Sequence, residues 1–380
     1  MGEAGNTNVK APAVLVSGVV LSQPAGGVRR HNAELLPRLA ERLASRGGRL
    51  AVLTGPEELP FALPNDVERI PTDVPAGPPL RRVLQEGRAL TRAARAASDT
   101  GQPFDLIHTA HLPVPRTLPL PYTITQHDLR ALQVEGAPFT RRFLARGVIG
   151  RAVQQASAVF TVSETMRSEL VSRFRLDPDS VRVVSNAGDH FAPLPRAPKN
   201  DAALVAVGHL EPRKNLELLL HALATDTELP DLRLFGRAKP GEHERLTGLA
   251  QNLGVANRVY FEGPFEDEEL PEIYAQAACV LVPSRVEGFG MVALEAQLAS
   301  APLAVSSAGA LPEVAGEGVP QFAPDDVPGC VRAIHAALAQ PGARLAEHAQ
   351  RASRPRWDTS ADAWAAGLAR AYELTRSDRP

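Results

Sequence analysis

The chain has 380 residues, 44% hydrophobic and 22% charged. At about 150 residues per domain it calls for two cores, and its composition excludes a disordered, collagen-like or coiled-coil architecture. Formal net charge is −2, with 23 Lys and Arg against 18 Asp and Glu in residues 1–190 and 18 against 25 in residues 191–380; the first half suits an anionic surface or substrate, or is merely unevenly charged, and nothing calls for a nucleic-acid partner.

Residues 1–10 are polar and lack the apolar run of a secretory signal. No later stretch reaches the roughly 18 uninterrupted apolar residues of a spanning helix, so a soluble, cytoplasmic protein is expected. Val14, Leu15 and Val16 predict a first strand. A glycine-bearing loop follows at 18–27, then a helix at 28–46 with Leu35, Leu39 and Leu43 on one face, ended by Gly47 and Gly48. Strands are predicted at 50–53, 105–108, 122–125 and 158–162. Between 189 and 201, Pro193, Pro195 and Pro198 interrupt both helix and interior strand. Beyond this break the alternation resumes, with strands at 203–207, 232–235, 259–261, 279–282 and 303–305 and a leucine-rich helix at 216–223. Short β-branched runs alternating with helical patterns mark βαβ units, so the fold class is α/β with two doubly wound, Rossmann-like domains. The expected division is an N-terminal domain at 1–190, a linker at 191–200, a second domain at 201–356 and a C-terminal helix at 357–380. Cys279 and Cys330 have neither zinc-ligand spacing nor disulfide density, so a reducing compartment is expected.

Ligands of such folds bind beyond the carboxyl ends of the strands. Directly after the strand ending at Val282 stand Ser284, Arg285, Val286, Glu287, Gly288, Phe289, Gly290, Met291, Val292 and, further on, Glu295. The two glycines permit close backbone approach, and a helix starting near Gly290 directs its free N–H groups and positive dipole end at an anion. Carboxylates repel a phosphate but accept from hydroxyl groups, so Glu287 and Glu295 beside such a helix fit a nucleotide sugar. The plainer reading is an ordinary turn with a capping and a surface glutamate. A second cluster, Gly208, His209, Leu210, Glu211, Pro212, Arg213, Lys214 and Asn215, again joins a strand to a helix start. Adjacent cations at the positive end of a helix dipole conflict unless an anion joins them; a solvated basic pair is the plainer reading. Only four lysines, Lys10, Lys199, Lys214 and Lys239, occur in the chain. With no Asp-x-Asp motif suitably placed, no metal is expected.

These segments resemble the retaining glycosyltransferases of family 4, with the GT-B fold, in which two Rossmann-like domains face a central cleft. The resemblance covers nearly the whole chain. It runs through Gly26-Gly27, His127-Asp128, Val162-Ser163-Glu164, Asn186, Gly188-Asp189, the EPRKN stretch at 211–215, the Glu287 and Glu295 pair, and residues 309–314. It implies that Gly26 and Gly27 let the first loop approach the donor diphosphate, that Arg213 and Lys214 hold the phosphates, and that Glu295 takes the ribose hydroxyls. It further implies that Glu287 takes the hydroxyls of the transferred sugar and that Gly288, Phe289, Gly290, Met291 and Val292 complete the contacts through their backbone. Phe265 would pack near the base, and His127 would lie at the reacting face. Many relatives have Gly-Arg where this chain has Gly208-His209, so one phosphate-binding arginine is missing, and Arg213 is expected to compensate.

The resemblance implies transfer of a hexose, from GDP-mannose or UDP-glucose as leading candidates, to a hydroxyl of a glycan, a glycolipid or a small molecule, with retention and without cofactor or metal. A binding protein without turnover and a GT-B nucleotide-sugar epimerase are the alternatives. The segment at 138–151 carries four arginines and no acid among Phe139, Phe143, Leu144, Val148 and Ile149. It reads either as a basic amphipathic element lying on anionic lipid, which would place the enzyme peripherally at the inner membrane face, or as an ordinary helix packing its apolar side on the sheet. Trp364, Leu368 and Tyr372 predict a terminal helix, which by resemblance packs back on the first domain.

Overall fold

The computed structural model describes residues 10–22, 26–132, 139–198 and 201–377. The polar stretch to residue 9, Pro138 at the head of the basic segment and Lys199 in the linker lie outside them. The chain divides into two compact units: Met1–His127 with Glu135–Ser185 and Trp357–Pro380, and Asp128–Val134 with Asn186–Arg356.

The first unit runs β1 (Ala13–Ser17), α1 (Gly26–Ala44), β2 (Arg49–Thr54), β3 (Glu68–Pro71), α2 (Pro79–Asp99), β4 (Leu106–Thr109), β5 (Tyr122–Gln126), α3 (Phe139–Gln155), β6 (Ala158–Thr161), α4 (Glu164–Phe174) and β7 (Val181–Val183). Its sheet has the order β3-β2-β1-β4-β5-β6-β7. All pairings are parallel; Leu15 stands opposite Ala51 on one side and Ile107 on the other. Strands β1 and β2 read as apolar runs without alternation because helices cover both faces. Helix α1 buries Leu35, Leu36, Leu39 and Leu43. It begins at Gly26, so Gly26 and Gly27 occupy its first turn instead of the preceding loop. After β1 comes Gly18, where a Cβ would lie 2.7 Å from Val52 Cγ1; no side chain fits between these strand ends.

The second unit runs β8 (Leu204–Val207), α5 (Leu216–Thr225), β9 (Leu232–Phe235), α6 (Glu242–Asn252), β10 (Val259–Gly263), α7 (Leu270–Gln276), β11 (Cys279–Val282), α8 (Met291–Leu298), β12 (Leu303–Ser306), α9 (Leu311–Ala315), β13 (Gln321–Phe322), α10 (Val327–Leu338) and α11 (Gly342–Ala352). The order β10-β9-β8-β11-β12-β13, again parallel, is the doubly wound order that reverses between β8 and β11. Residues 186–190 belong here, ahead of the proline run. A Cβ on Gly188 would lie 2.3 Å from Leu298 Cδ1, and Phe191 packs on Tyr274 at 5.9 Å between ring centroids. The linker is pinned to the same unit. Arg196 donates to Tyr274 O at 2.6 Å and Ala277 O at 2.7 Å. Both cysteines are free and buried, and burial pushes the Cys330 thiol up to about 12, so neither is a ready nucleophile.

The final helix, α12 (Trp357–Ser377), belongs to the first unit. Trp357, Trp364 and Leu368 are wholly buried. Gly367 lets α12 approach β6, since a Cβ there would lie 2.4 Å from Phe160 Cε1. At the rim, Arg42 of α1 pairs with Asp358 at 2.6 Å and Asp362 at 3.0 Å, exposed contacts that add little beside the buried indoles.

Candidate functional site

The strand order of the second unit predicts a binding crevice where β8 and β11 diverge, and three loops are tied together there. β8 is followed by Gly208, whose φ of +127° suits glycine alone. The turn Pro212–Lys214 follows, closed by Asn215 at φ +54°. Asn215 is buried, and its amide donates to Pro283 O at 3.1 Å and Pro324 O at 2.8 Å. The loop after β8 is thereby fastened to those after β11 and β13. A backbone bond from Arg285 N to Arg213 O at 2.8 Å closes the seam.

This framework brings Arg213, Lys214 and Glu287 together. Lys214 Nζ lies 2.6 Å from Glu287 Oε1 and Arg213 Nη1 lies 3.5 Å from the same oxygen. Ser284 Oγ donates to it at 3.0 Å, and Arg213 Nε reaches Glu211 at 2.8 Å. Burial would raise the pKa of Glu287, but the charges of Lys214 and Arg213 and the bonds from Lys214 and Ser284 outweigh it and hold the carboxyl below its usual range. His209 moves the other way from a fixed cation. Burial lowers its pKa, as do Lys239, Arg213 and Lys214, against the opposing pull of Glu211. Its imidazole is therefore neutral near pH 7 and does not replace the charge of an arginine.

Gly290 caps α8 with φ +103°, and a Cβ there would lie 2.7 Å from Leu311 Cδ2. Met291 and Val292 form the first turn, whose N–H groups have no preceding helical carbonyl. Phe289 is buried and anchors the loop. Beneath Gly288, Ala310 N donates to Glu287 O at 3.0 Å, and Gly309 lies so close that a Cβ would meet that oxygen at 2.2 Å.

Glu295, on α8, is buried. Its Oε2 accepts from the Tyr274 hydroxyl at 3.1 Å, and His190 Nε2 lies 3.6 Å from Oε1. Burial and the neighbouring carboxylate raise the Tyr274 pKa well above its ordinary value, so the phenol remains a donor. Phe265, half-buried, packs against the core cluster that holds Tyr274. Tyr274 and His190 carry no sequence signal, lying 21 and 105 positions from Glu295. Ser284 had one, three residues before Glu287 and immediately after the strand loop.

The remaining candidates belong to the first unit. Gly26 and Gly27 are exposed in the first turn of α1. His127 follows β5, half-buried, with its ring edge-on to His31 at 4.8 Å. His31 in turn lies 6.0 Å from Trp364 and 6.3 Å from Trp357. His108 sits between Thr123 Oγ1 at 2.9 Å and Thr125 Oγ1 at 3.2 Å; burial, with His31 and His111, lowers its pKa to about 3, so it is a neutral core residue. Glu86 is wholly buried at the ends of β1 and β4 and bonds to Ser17 and, at 3.0 Å, to His111. Among the described residues no group of three or more His, Cys, Asp or Glu side chains is arranged to hold a metal.

Comparison with known proteins agrees with this architecture. Residues 192–355 match the family model described as Glycosyl transferases group 1, and residues 25–190 match Glycosyltransferase Family 4. The chain is 28% identical over 283 residues to the MMP alpha-(1->4)-mannosyltransferase of Mycolicibacterium hassiacum, covering 68% of this chain and 67% of that protein. It is 33% identical over 184 residues to the D-inositol 3-phosphate glycosyltransferase of Mycobacterium sp. (strain KMS), covering 44% of this chain and 41% of that protein, so the match spans about two fifths of this second relative's length. Among solved structures, sucrose-phosphate synthase from Thermosynechococcus elongatus superposes with a TM-score of 0.71 at 22% identity, covering 96% of this chain and 98% of that one.

Proposed function

We propose a reaction for a chain that belongs to the family 4 glycosyltransferases, with the GT-B fold: transfer of a hexose from a nucleoside-diphosphate sugar to a hydroxyl of a glycan, glycolipid or small molecule, with retention at the anomeric carbon and without a metal. The observation that carries it is the Arg213, Lys214 and Glu287 cluster with the first turn of α8 in one unit. As the glycosidic bond to the diphosphate breaks, negative charge builds on the leaving phosphates and the sugar becomes oxocarbenium-like. Two fixed cations and unbonded helix amides lower the barrier by stabilising what departs. Lys214 releases Glu287 when the diphosphate arrives, which frees that carboxylate to accept from sugar hydroxyls. The acceptor hydroxyl attacks from the face the diphosphate leaves, and a phosphate oxygen takes its proton; Glu287, engaged with hydroxyls, is the weaker candidate for a covalent nucleophile. His127, Gly26 and Gly27 take their roles from the family resemblance. The name of the mannosyltransferase relative supports GDP-mannose as the first donor to test, with UDP-glucose second.

A thermal-shift panel of nucleotide sugars tests this reading. The true donor raises the apparent melting temperature most, by mass action; a flat panel at millimolar concentrations rejects it. Two site variants sharpen the test. Because His209 is neutral, His209→Arg restores a charged phosphate contact and is expected to tighten the nucleoside diphosphate about tenfold; calorimetry with wild type and variant measures it, and unchanged affinity removes residue 209 from the phosphate site. Tyr274→Phe deletes the donor to Glu295, so donor KM is expected to rise about threefold to tenfold with kcat nearly constant. A donor lacking the ribose hydroxyls should not distinguish wild type from this variant. If it does, Tyr274 acts on the fold and not on ribose recognition.

A further inference from the structure

Among the described residues, five of the eight exposed large hydrophobic side chains lie on two helices: Leu80 (81% exposed) and Leu84 (69%) on α2, and Phe143 (65%), Leu144 (67%) and Val148 (43%) on α3. The expectation that α3 buries its apolar side holds for its second half alone, where Ile149, Ala152 and Val153 are buried. Topology brings the two exposed ends to one place. Helix α2 leads from β3 to β4 and α3 from β5 to β6, crossovers running in the same direction along the sheet. Right-handed connections therefore put both helices on the same face, with their first turns at the carboxyl edge. The loop at 112–117 lies between them: Arg82 of α2 donates to Leu112 O at 2.6 Å, a Cβ on Gly87 would lie 3.2 Å from Pro115 Cβ, and Arg151 of α3 donates to Arg116 O at 3.0 Å.

Over the first halves of α2 and of the described α3, the exposed charged side chains are arginines. Arg81, Arg88, Arg142 and Arg146 are exposed. The carboxylate nearest to them along α2, Glu86, is wholly buried, and α3 has no acid in its sequence. We propose that the exposed ends of α2 and α3 form a docking surface for an anionic lipid bilayer. Leucine and phenylalanine side chains gain by leaving water for the acyl boundary, while arginines beside them meet lipid phosphates. A second copy of the chain on this face would oppose arginine to arginine across a two-fold axis, which disfavours self-association. The surface is built from the first unit alone and does not depend on the sugar-transfer reading.

Flotation of the purified full chain with vesicles tests the proposal. Binding to vesicles of phosphatidylcholine with phosphatidylglycerol is expected to exceed binding to pure phosphatidylcholine by at least about tenfold, and to fall as salt is raised. Each charge near an anionic surface contributes about fivefold, so Arg142→Glu with Arg146→Glu should lower the partition more than tenfold. The pairs Phe143→Ser with Leu144→Ser and Leu80→Ser with Leu84→Ser should each weaken it; all are surface changes whose folding is checked by thermal melts and by donor hydrolysis, which should be unchanged. Absence of flotation with anionic vesicles, equal binding to neutral ones, or wild-type binding by the folded variants would overturn the proposal. So would light scattering that shows a dimer dissolved by the Phe143→Ser, Leu144→Ser pair, since the face would then be a contact between copies.

Discussion

Lys214→Ala is expected to lower turnover at least about tenfold, the cost of losing a charged group that stabilises a departing anion. The loss should fall on kcat, because the leaving diphosphate carries more charge in the transition state than in the bound donor. The variant also removes the main charge that holds Glu287 ionised. Burial then acts against a single remaining cation, Arg213, so the Glu287 pKa rises. The sign follows from linkage: a carboxyl whose folded pKa is depressed stabilises the fold above its unfolded pKa and loses that contribution as pH falls through the folded value. In Lys214→Ala this loss begins at higher pH than in wild type, and acid unfolding should shift upward. The double variant Lys214→Ala with Glu287→Gln separates the effects, since it removes the stranded carboxylate and should restore acid stability without restoring turnover. A single variant that folds normally and turns over at the wild-type rate would reject the assignment of Lys214.

Trp364→Ala is expected to destabilise the first unit by about 3–5 kcal/mol, the usual cost of deleting a wholly buried large aromatic. The indole packs edge-on against His108 at 4.9 Å and lies 6.3 Å from Phe160 and 6.0 Å from His31. The cavity would open under His31, the ring that supports His127. Urea denaturation should therefore show an early transition, while binding of nucleoside diphosphate, whose proposed cationic partners all belong to the other unit, persists below that transition. A change under about 1 kcal/mol would mean that α12 contributes little to the first unit.

The two doubly wound sheets were legible because most buried strands are short apolar runs and helices such as α1 and α5 carry their own spacing of leucines. The edge strands β3 and β7 and the two-residue β13 were not, being short and in part exposed, and a strand at a sheet margin carries too few apolar residues to stand out from a loop. The domain boundary shows the same limit. Pro193, Pro195 and Pro198 mark where regular structure stops, but Gly188 and Phe191 are already fixed to α7 and α8, and no local pattern reveals which core a loop will join. At the site, the residues between Ser284 and Glu295 were readable because strand end, glycines and helix start are contiguous.

By itself the sequence determined the alternation of strands and helices, the two sheets, and the glycine-bearing loops at Gly208 to Asn215 and Ser284 to Val292. All of these are encoded in neighbouring residues, through period, turn chemistry and the helix dipole. Tertiary structure alone decided that Lys214 meets Glu287 across 73 positions, that Tyr274 and His190 close on Glu295, that His31 stands between His127 and the tryptophans of α12, and that Phe143 and Leu144 face outward. Those pairings arise from close packing of elements distant along the chain, where shape and burial select partners that no short stretch of residues specifies.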